Sequence, residues 1–129
     1  MADPTRVGIA VVEHQGRFVV GVRSGDEVLP HAAEFPGGKC RPEENPEDCA
    51  VRECWEETGL SVETVRLLDY RRHNYAHGEV ELHFWFCRLA AGQDPAAIRS
   101  PFRWAERDEL PALPFPDANI PVVKLLQAS

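Results

Sequence analysis

No stretch of this chain stays apolar for the roughly eighteen residues that a membrane-crossing helix needs. Neither a secretory leader nor a lipidation motif is visible, so no membrane partner is expected and the cytoplasm is the expected location. Cysteine is sparse and poorly spaced for a metal: Cys40, Cys49, Cys54 and Cys87 make no Cys-x-x-Cys pair and no His/Cys cluster. Neither zinc nor a disulfide framework is expected, and the thiols are expected to be reduced. Basic residues are in short supply, with 14 Lys and Arg against 21 Asp and Glu and a net charge of −7. A nucleic-acid polymer needs a basic surface and is not an expected partner. A small nucleotide is still compatible with this charge, because a metal ion can carry the counter-charge locally. Repeats and low-complexity tracts are absent.

What is present suits one globular domain over residues 1–129. Apolar residues make up 43% and charged residues 27%, enough for a hydrophobic core in a chain too short for two. Arg6 to Val12 and Arg17 to Val22 are apolar and β-branched around Glu13-His14-Gln15-Gly16, the pattern of a β-hairpin. Ser24 to Ala33 reads as a loop. Ser61 to Tyr75 and Glu79 to Arg88 are long strand candidates with a bend near His77-Gly78. In the second, Val80, Leu82, Phe84 and Phe86 alternate with Glu81, His83, Trp85 and Cys87, a half-buried period-two pattern. Phe102 to Ala105 reads as a short strand, Arg107 to Leu110 as a helical turn, and Ala118 to Gln127 as a terminal helix. Strands before and after one helix, with a second helix at the end, imply an α/β fold whose mixed sheet is covered on both faces.

The informative stretch runs from Glu34 to Leu60. Asn45-Pro46 starts a helix, since Asn can cap free amides and Pro at the first position surrenders an N–H that had no partner. Glu47 and Asp48 complement the dipole of the first turn, and Thr58-Gly59 marks the stop. The helix is predicted from Pro46 to Thr58. At about 100° per residue, Glu53, Glu56 and Glu57 share one stripe, while Val51, Cys54, Trp55 and Thr58 are expected to face the core. Carboxylates at such spacing repel, and no Lys or Arg at helical spacing on that stripe relieves them. Such a ridge becomes favourable under a hard divalent cation with oxygen ligands, Mg²⁺ or Mn²⁺ rather than zinc. Cys49 projects beside the ridge and is read as a small packing residue. Upstream, Glu34-Phe35-Pro36-Gly37-Gly38-Lys39 places two glycines where backbone can approach a ligand closely, with a positive charge beside them.

Gly38, Glu44, Arg52, Glu53, Cys54, Glu56, Glu57, Gly59 and Leu60 fall at the spacing of the Nudix hydrolase box, which this segment resembles position for position. Seven of those places each demand a single residue type, so a chance match at a given start is on the order of one in 10⁸. The resemblance implies a Nudix-type α/β/α sandwich with a mixed central β-sheet, and metal-dependent hydrolysis of a nucleoside diphosphate linked to another moiety. It implies Glu53, Glu56, Glu57 and the Gly37 carbonyl as metal ligands. Glu53 is also a candidate to take the proton from the attacking water. Arg52 is expected to hold the carboxylates through a fork-like ion pair with Glu44, so Glu44, Arg52 and Glu53 form the catalytic set.

Within the family, the Phe-Pro-Gly-Gly-Lys run and Phe115-Pro116-Asp117-Ala118-Asn119 resemble the MutT branch, which removes oxidised guanine nucleotides such as 8-oxo-dGTP from the precursor pool. By that resemblance Asn119 reads the base, Phe35 and Tyr75 stack on it, and Lys39 and Arg23 reach the phosphates or sugar. His77 stands where an acid is common in guanine-specific enzymes. The branch also carries an acidic ligand before a Trp beyond the box. Here Arg103 precedes Trp104, which leaves Glu106, Asp108 or a direct Arg103–phosphate contact as alternatives. The expected reaction is Mg²⁺-dependent conversion of a nucleoside triphosphate to monophosphate and pyrophosphate, by a monomer or homodimer. Cytidine nucleotides or dinucleoside polyphosphates are alternative substrates, and a non-catalytic ligand sensor is the alternative of another class.

Overall fold

The computed structural model describes residues 3–22 and 31–128. Strands β1 (Thr5–His14) and β2 (Arg17–Val22) form the expected hairpin, closed by Gln15 and Gly16 at φ of 52° and 79°. Two short strands follow, β3 (Ala33–Glu34) and β4 (Gly37–Lys39), then helix α1 (Pro46–Thr58). The long pair β5 (Val62–Tyr75) and β6 (Gly78–Leu89) comes next. Strand β7 (Arg103–Glu106), a 3-10 turn at Arg107–Ala112 and helix α2 (Ile120–Ala128) complete the order. Of the expected loop from Ser24 to Ala33, residues 24–30 lie outside the described residues, and Ala33 already belongs to β3.

The strands lie in one mixed sheet in the order β3-β2-β1-β6-β5, with β4 on β1 and β7 on β2. The β1–β6 pair is parallel, from Thr5↔Val80 to Val12↔Cys87, and the other pairs are antiparallel. Strand β1 serves two partners along one edge: its first half pairs with β4 and its end with β2.

Alternation along the strands builds a core on each face. Ile9, Val11, Phe18 and Phe84 pack with Val122, Val123 and Leu126 of α2. Ala10, Val12, Val19 and Cys87 pack with Ala50 and Cys54 of α1. The period-two pattern of β6 therefore reports two covered faces over the strand's second half. Cys87 is fully buried on the side read as half-exposed, because α1 lies across it.

Helix α1 has the predicted limits and, apart from Trp55, the predicted inner face, with Val51, Cys54 and Thr58 turned to the core. Its buried residues are Cys49, Ala50, Cys54 and Thr58, whereas Trp55 is 54% exposed. At Gly8 of β1, an added Cβ would stand 2.5 Å from the Pro46 carbonyl oxygen and 2.8 Å from the Ala50 nitrogen. Helix backbone sits directly on strand backbone there. Only small side chains, here Cys49 and Ala50, fit that contact.

Candidate active site

Both ends of α1 are held. The Asn45 side chain accepts the Asp48 N–H at 2.8 Å, and Gly59, at φ 80°, donates its N–H to the Trp55 carbonyl at 3.0 Å. The last turn contains no basic residue, but Arg99 supplies one from another segment, donating to the Glu56 carbonyl at 2.8 Å. A cation at this end complements the helix dipole. The helix that carries the carboxylates is thereby a rigid mount.

Arg52 organises the acidic ridge. Its Nε and Nη2 donate to the two oxygens of Glu44, each at 2.8 Å, a planar fork. Its Nη1 donates to Glu53 at 2.9 Å and to Glu56 at 3.0 Å, and Nη2 reaches the Lys39 carbonyl at 3.3 Å. The expectation of an unrelieved ridge is thus corrected. Arg52 stands four residues before Glu56, and its long side chain folds back to neutralise two of the three carboxylates. The hydrogen bonds from Arg52 hold the Glu44 carboxyl at about 2, against an ordinary value of 4.5. Conversely, Glu44 first and Glu53 next push the Arg52 guanidinium above its ordinary value.

The glycine pair meets this ridge edge-on. Ala10 donates to the Pro36 carbonyl and Cys40 donates to the Arg6 carbonyl, both at 2.8 Å. In an antiparallel ladder that alternation turns the N–H and C=O of Gly37 and Lys39 away from β1. Gly37 accordingly donates its N–H to Glu57 Oε1 at 2.8 Å, and its carbonyl lies along the same edge. At Gly38 an added Cβ would fall 2.5 Å from Glu53 Cδ, so the Glu53 carboxylate rests on the glycine itself. Gly37, Glu53, Glu56 and Glu57 are thus gathered at one place.

Among the described residues, no three His, Cys, Asp or Glu side chains already stand in ligating geometry. The Arg52 guanidinium bridges Glu53 and Glu56 instead. The donor set nevertheless fits a hard divalent cation, since it consists of carboxylate and backbone oxygens along one edge. Glu56, 45% exposed, can swing off Arg52, whereas Glu53, at 18%, is held in place.

Beside Gly37 opens a cleft of about 430 Å³, within the usual range for a small-molecule site. Phe35, Gly37, Lys39, Tyr75 and Asn119 all line it, which brings together the site residues predicted from three separate stretches of sequence. Val7, Ile9, Val80 and Leu82 make its apolar floor. Phe35 is only 5% exposed and stacks on Phe115 at 4.9 Å, so it forms wall, while Tyr75 is 42% exposed and stacks on His77 at 5.4 Å. Glu34 and His77 also line the cleft; Glu34 was given no role from the sequence, and His77 only as the position where guanine-specific enzymes commonly carry an acid. Their sequence signal was adjacency, Glu34 beside Phe35 and His77 two residues past Tyr75.

Arg23 lies outside the described residues. The alternatives around Trp104 are occupied elsewhere: Arg103 forks onto Glu109 at 3.1 and 3.0 Å, and Glu106 pairs with Arg17 at 2.8 Å. Asp108 lies within the 3-10 turn after β7. Among the described residues no helix is long and apolar enough to cross a membrane.

An acidic helix faces a glycine edge that lines a cleft in a mixed α/β sandwich, and the family and relatives this chain matches make it a hydrolase of phosphoric anhydride bonds. Residues 3–126 match the NUDIX domain model, and the chain belongs to the Nudix family. It is 31% identical over 121 residues to the 8-oxo-dGTP diphosphatase of Escherichia coli (strain K12), covering 94% of this chain and 93% of that one. It is 24% identical over 119 residues to the CTP pyrophosphohydrolase of the same organism, covering 92% and 88%. The solution structure of the DNA mismatch repair protein MutT from methicillin-resistant Staphylococcus aureus 252 superposes with a TM-score of 0.78. That match has 26% identity and covers 99% of this chain and 98% of the other.

Proposed function

We propose that this protein hydrolyses a nucleoside triphosphate to the monophosphate and pyrophosphate, with an oxidised guanine nucleotide such as 8-oxo-dGTP as the preferred class. The observation that carries this reading is the cleft that opens onto Gly37, the residue whose N–H is held by Glu57. A base in the cleft and a phosphate chain over the acidic ridge are then contiguous. Gly37, Glu53, Glu56 and Glu57 would hold Mg²⁺ or Mn²⁺. Bound there, the ion supplies charge neutralisation of the phosphate oxygens and a template for in-line displacement.

The chain's own residues do the rest. Glu53, anchored by Arg52 and seated on Gly38, accepts the proton of the attacking water. Arg52, tied to Glu44, keeps the ridge in register and moves no proton itself. Lys39 faces the cleft and attracts the phosphates. Asn119 presents an amide, donor and acceptor together, to the edge of the base. The exposed ring of Tyr75 stacks on it.

The test is a turnover screen over normal and oxidised nucleoside triphosphates, dinucleoside polyphosphates and nucleotide sugars, with and without Mg²⁺. Pyrophosphate release of at least about 10²-fold lower rate is expected for Glu56→Gln and Glu57→Gln, with melting temperatures unchanged. The Glu57→Gln amide keeps an oxygen for the Gly37 N–H, so its fold is preserved while its charge is gone. Full activity in both variants refutes the assignment, and saturable nucleotide binding without turnover in the wild type identifies a sensor. A second reading, cytidine triphosphate, is supported by the 24% identity to a CTP pyrophosphohydrolase, while His77 in the cleft, where guanine-specific relatives are expected to carry an acid, counts against guanine. The same screen separates the two bases.

A further inference from the structure

The mechanism leaves one cation at the ridge unused. Arg52 commits each of its N–H donors to Glu44, Glu53, Glu56 or the Lys39 carbonyl, so it has none to turn toward a phosphate. Arg41 is different. Its side chain is 64% exposed, and its Nη2 stands 3.9 Å from Glu56 Oε2, beyond hydrogen-bond reach. Its backbone, by contrast, is fixed. The Arg41 N–H donates to Glu44 Oε1 at 3.1 Å, and its carbonyl accepts the Glu44 N–H at 3.1 Å and Arg6 Nη2 at 3.0 Å. Arg6 Nη2 also reaches the Pro42 carbonyl at 3.3 Å, and the Cys40 N–H donates to the Arg6 carbonyl at 2.8 Å. Strand β1 thus grips the turn after β4 through Arg6, and Glu44 ties the same turn to Arg52. The Arg41 guanidinium is a free tip on an immobile base.

We propose that Arg41 binds the terminal phosphate of the substrate and so favours triphosphates over diphosphates, an assignment that rests on the nucleoside triphosphate reading above. Its place along the ridge carries the argument. Gly37 lines the cleft and holds Glu57, whereas the neighbouring Glu56 is the carboxylate that faces Arg41. Among the described residues Arg41 is not part of the cleft wall. A phosphate chain that leaves the cleft over Gly37 therefore meets Glu57 first and Arg41 last. The chemistry suits that end of the chain. A planar guanidinium presents paired N–H groups to two phosphate oxygens, and a terminal phosphate exposes the most oxygens and charge. Little opposes the move, since an exposed pair at 3.9 Å is weak and screened by solvent.

The test measures binding apart from turnover. Inorganic tripolyphosphate, which carries no base, is titrated by calorimetry in Mg²⁺ into the wild type, Arg41→Ala and Arg41→Lys. Arg88→Ala, which removes an arginine 69% exposed and paired with Glu63, controls for the loss of one charge. The turn after β4 is held through the Arg41 main chain, so both Arg41 variants keep it. Arg41→Ala is expected to weaken tripolyphosphate binding about tenfold, the size of one charge-assisted hydrogen bond. Arg41→Lys is expected to lose less, and Arg88→Ala less than about twofold. With nucleotides, Arg41→Ala is expected to raise KM for the triphosphate about tenfold, more than it lowers kcat, and to change KM for the diphosphate by less than about twofold. Equal tripolyphosphate affinity in wild type and Arg41→Ala overturns the assignment, as does an equal loss in Arg88→Ala. So does a KM that rises equally for both nucleotides. A wild type that binds no tripolyphosphate sinks the triphosphate reading itself and Arg41's role with it, so the two failures are told apart.

Discussion

Replacing Gly38 by alanine is expected to silence the site while leaving the protein folded. The backbone there is extended strand that alanine adopts freely, so no conformational strain enters. The added Cβ instead falls 2.5 Å from Glu53 Cδ and 2.6 and 2.8 Å from its oxygens. Ordinary contact needs about 3.5 Å, so the carboxylate retreats by about 1 Å. Because the obstacle is the end of a flexible side chain, the strain is about 1–2 kcal/mol, a fall in melting temperature of roughly 3–8 °C. The catalytic cost is larger. A displacement of about 1 Å in a positioned group costs about 10²-fold in rate, or about 2.7 kcal/mol of barrier. Initial rates of pyrophosphate release at saturating nucleotide and Mg²⁺, with a melting curve on the same sample, measure both quantities. A Gly38→Ala protein with turnover within about twofold of wild type refutes the reasoning, since the displaced carboxylate predicts far more. A second handle is Glu53→Asp, which withdraws the carboxylate by one methylene. It is expected to cost less in the Gly38→Ala background than in wild type, a coupling of about 1 kcal/mol. Equal losses in the two backgrounds break the argument.

Three further outcomes are expected. Gly8→Ala drives a Cβ into helix backbone, 2.5 Å from the Pro46 carbonyl and 2.8 Å from the Ala50 nitrogen, where no flexible group can yield. A loss of at least about 3 kcal/mol, read by urea denaturation, is expected. The depressed Glu44 carboxyl contributes stability that is fully present above its unfolded value near 4.5 and is lost as pH falls through about 2. The wild type is therefore expected to outlast Glu44→Gln at about pH 6, with their denaturant midpoints converging between about pH 4.5 and 2; a constant gap contradicts the linkage. Asn119→Ala is expected to shift the ratio of kcat/KM between bases by about 10-fold or more, since the amide's polar contacts are lost for one base and not another. An unchanged ratio removes Asn119 as the base reader.

The elements that could be read from sequence are those whose local chemistry is self-contained. Asn45-Pro46 and Thr58-Gly59 delimit α1 because caps act within a few residues, and both limits agree with the structure. The β1–β2 hairpin was legible for the same reason. What sequence could not supply was decided across the fold. Cys49 and Ala50 are pressed against the sheet because Gly8, far away in the chain, lets the first turn of α1 sit directly on strand backbone. The ridge is partly neutralised because Arg52 reaches Glu53 and Glu56 while it forks onto Glu44; its i,i+4 spacing to Glu56 was legible in sequence, its simultaneous hold on Glu44 and Glu53 was not. The residues of the cleft come from β1, the β3–β4 segment, the β5–β6 turn, β6 and the turn just before α2, and only resemblance linked the site residues in advance. The identity of the residues beside Trp104 gave acidic candidates, yet Glu106 and Arg103 are paired with Arg17 and Glu109.

The geometry of Arg52 also separates its charge from its shape. Its three nitrogens leave in different directions, with Nε and Nη2 to Glu44, Nη1 to Glu53 and Glu56, and Nη2 to the Lys39 carbonyl. A lysine would keep the positive charge but present a single nitrogen, which cannot hold a planar fork and also span two further carboxylates. Arg52→Lys is therefore expected to behave nearly as Arg52→Ala in turnover, each losing about 10²-fold or more, although lysine keeps the charge. If attraction alone held the ridge, lysine would recover most of the activity, and Glu44→Gln would matter little. Rates for the two Arg52 variants and Glu44→Gln, measured across Mg²⁺ concentrations, decide between these accounts. Recovery by lysine at any attainable Mg²⁺ concentration means that charge, not the fork, organises the site.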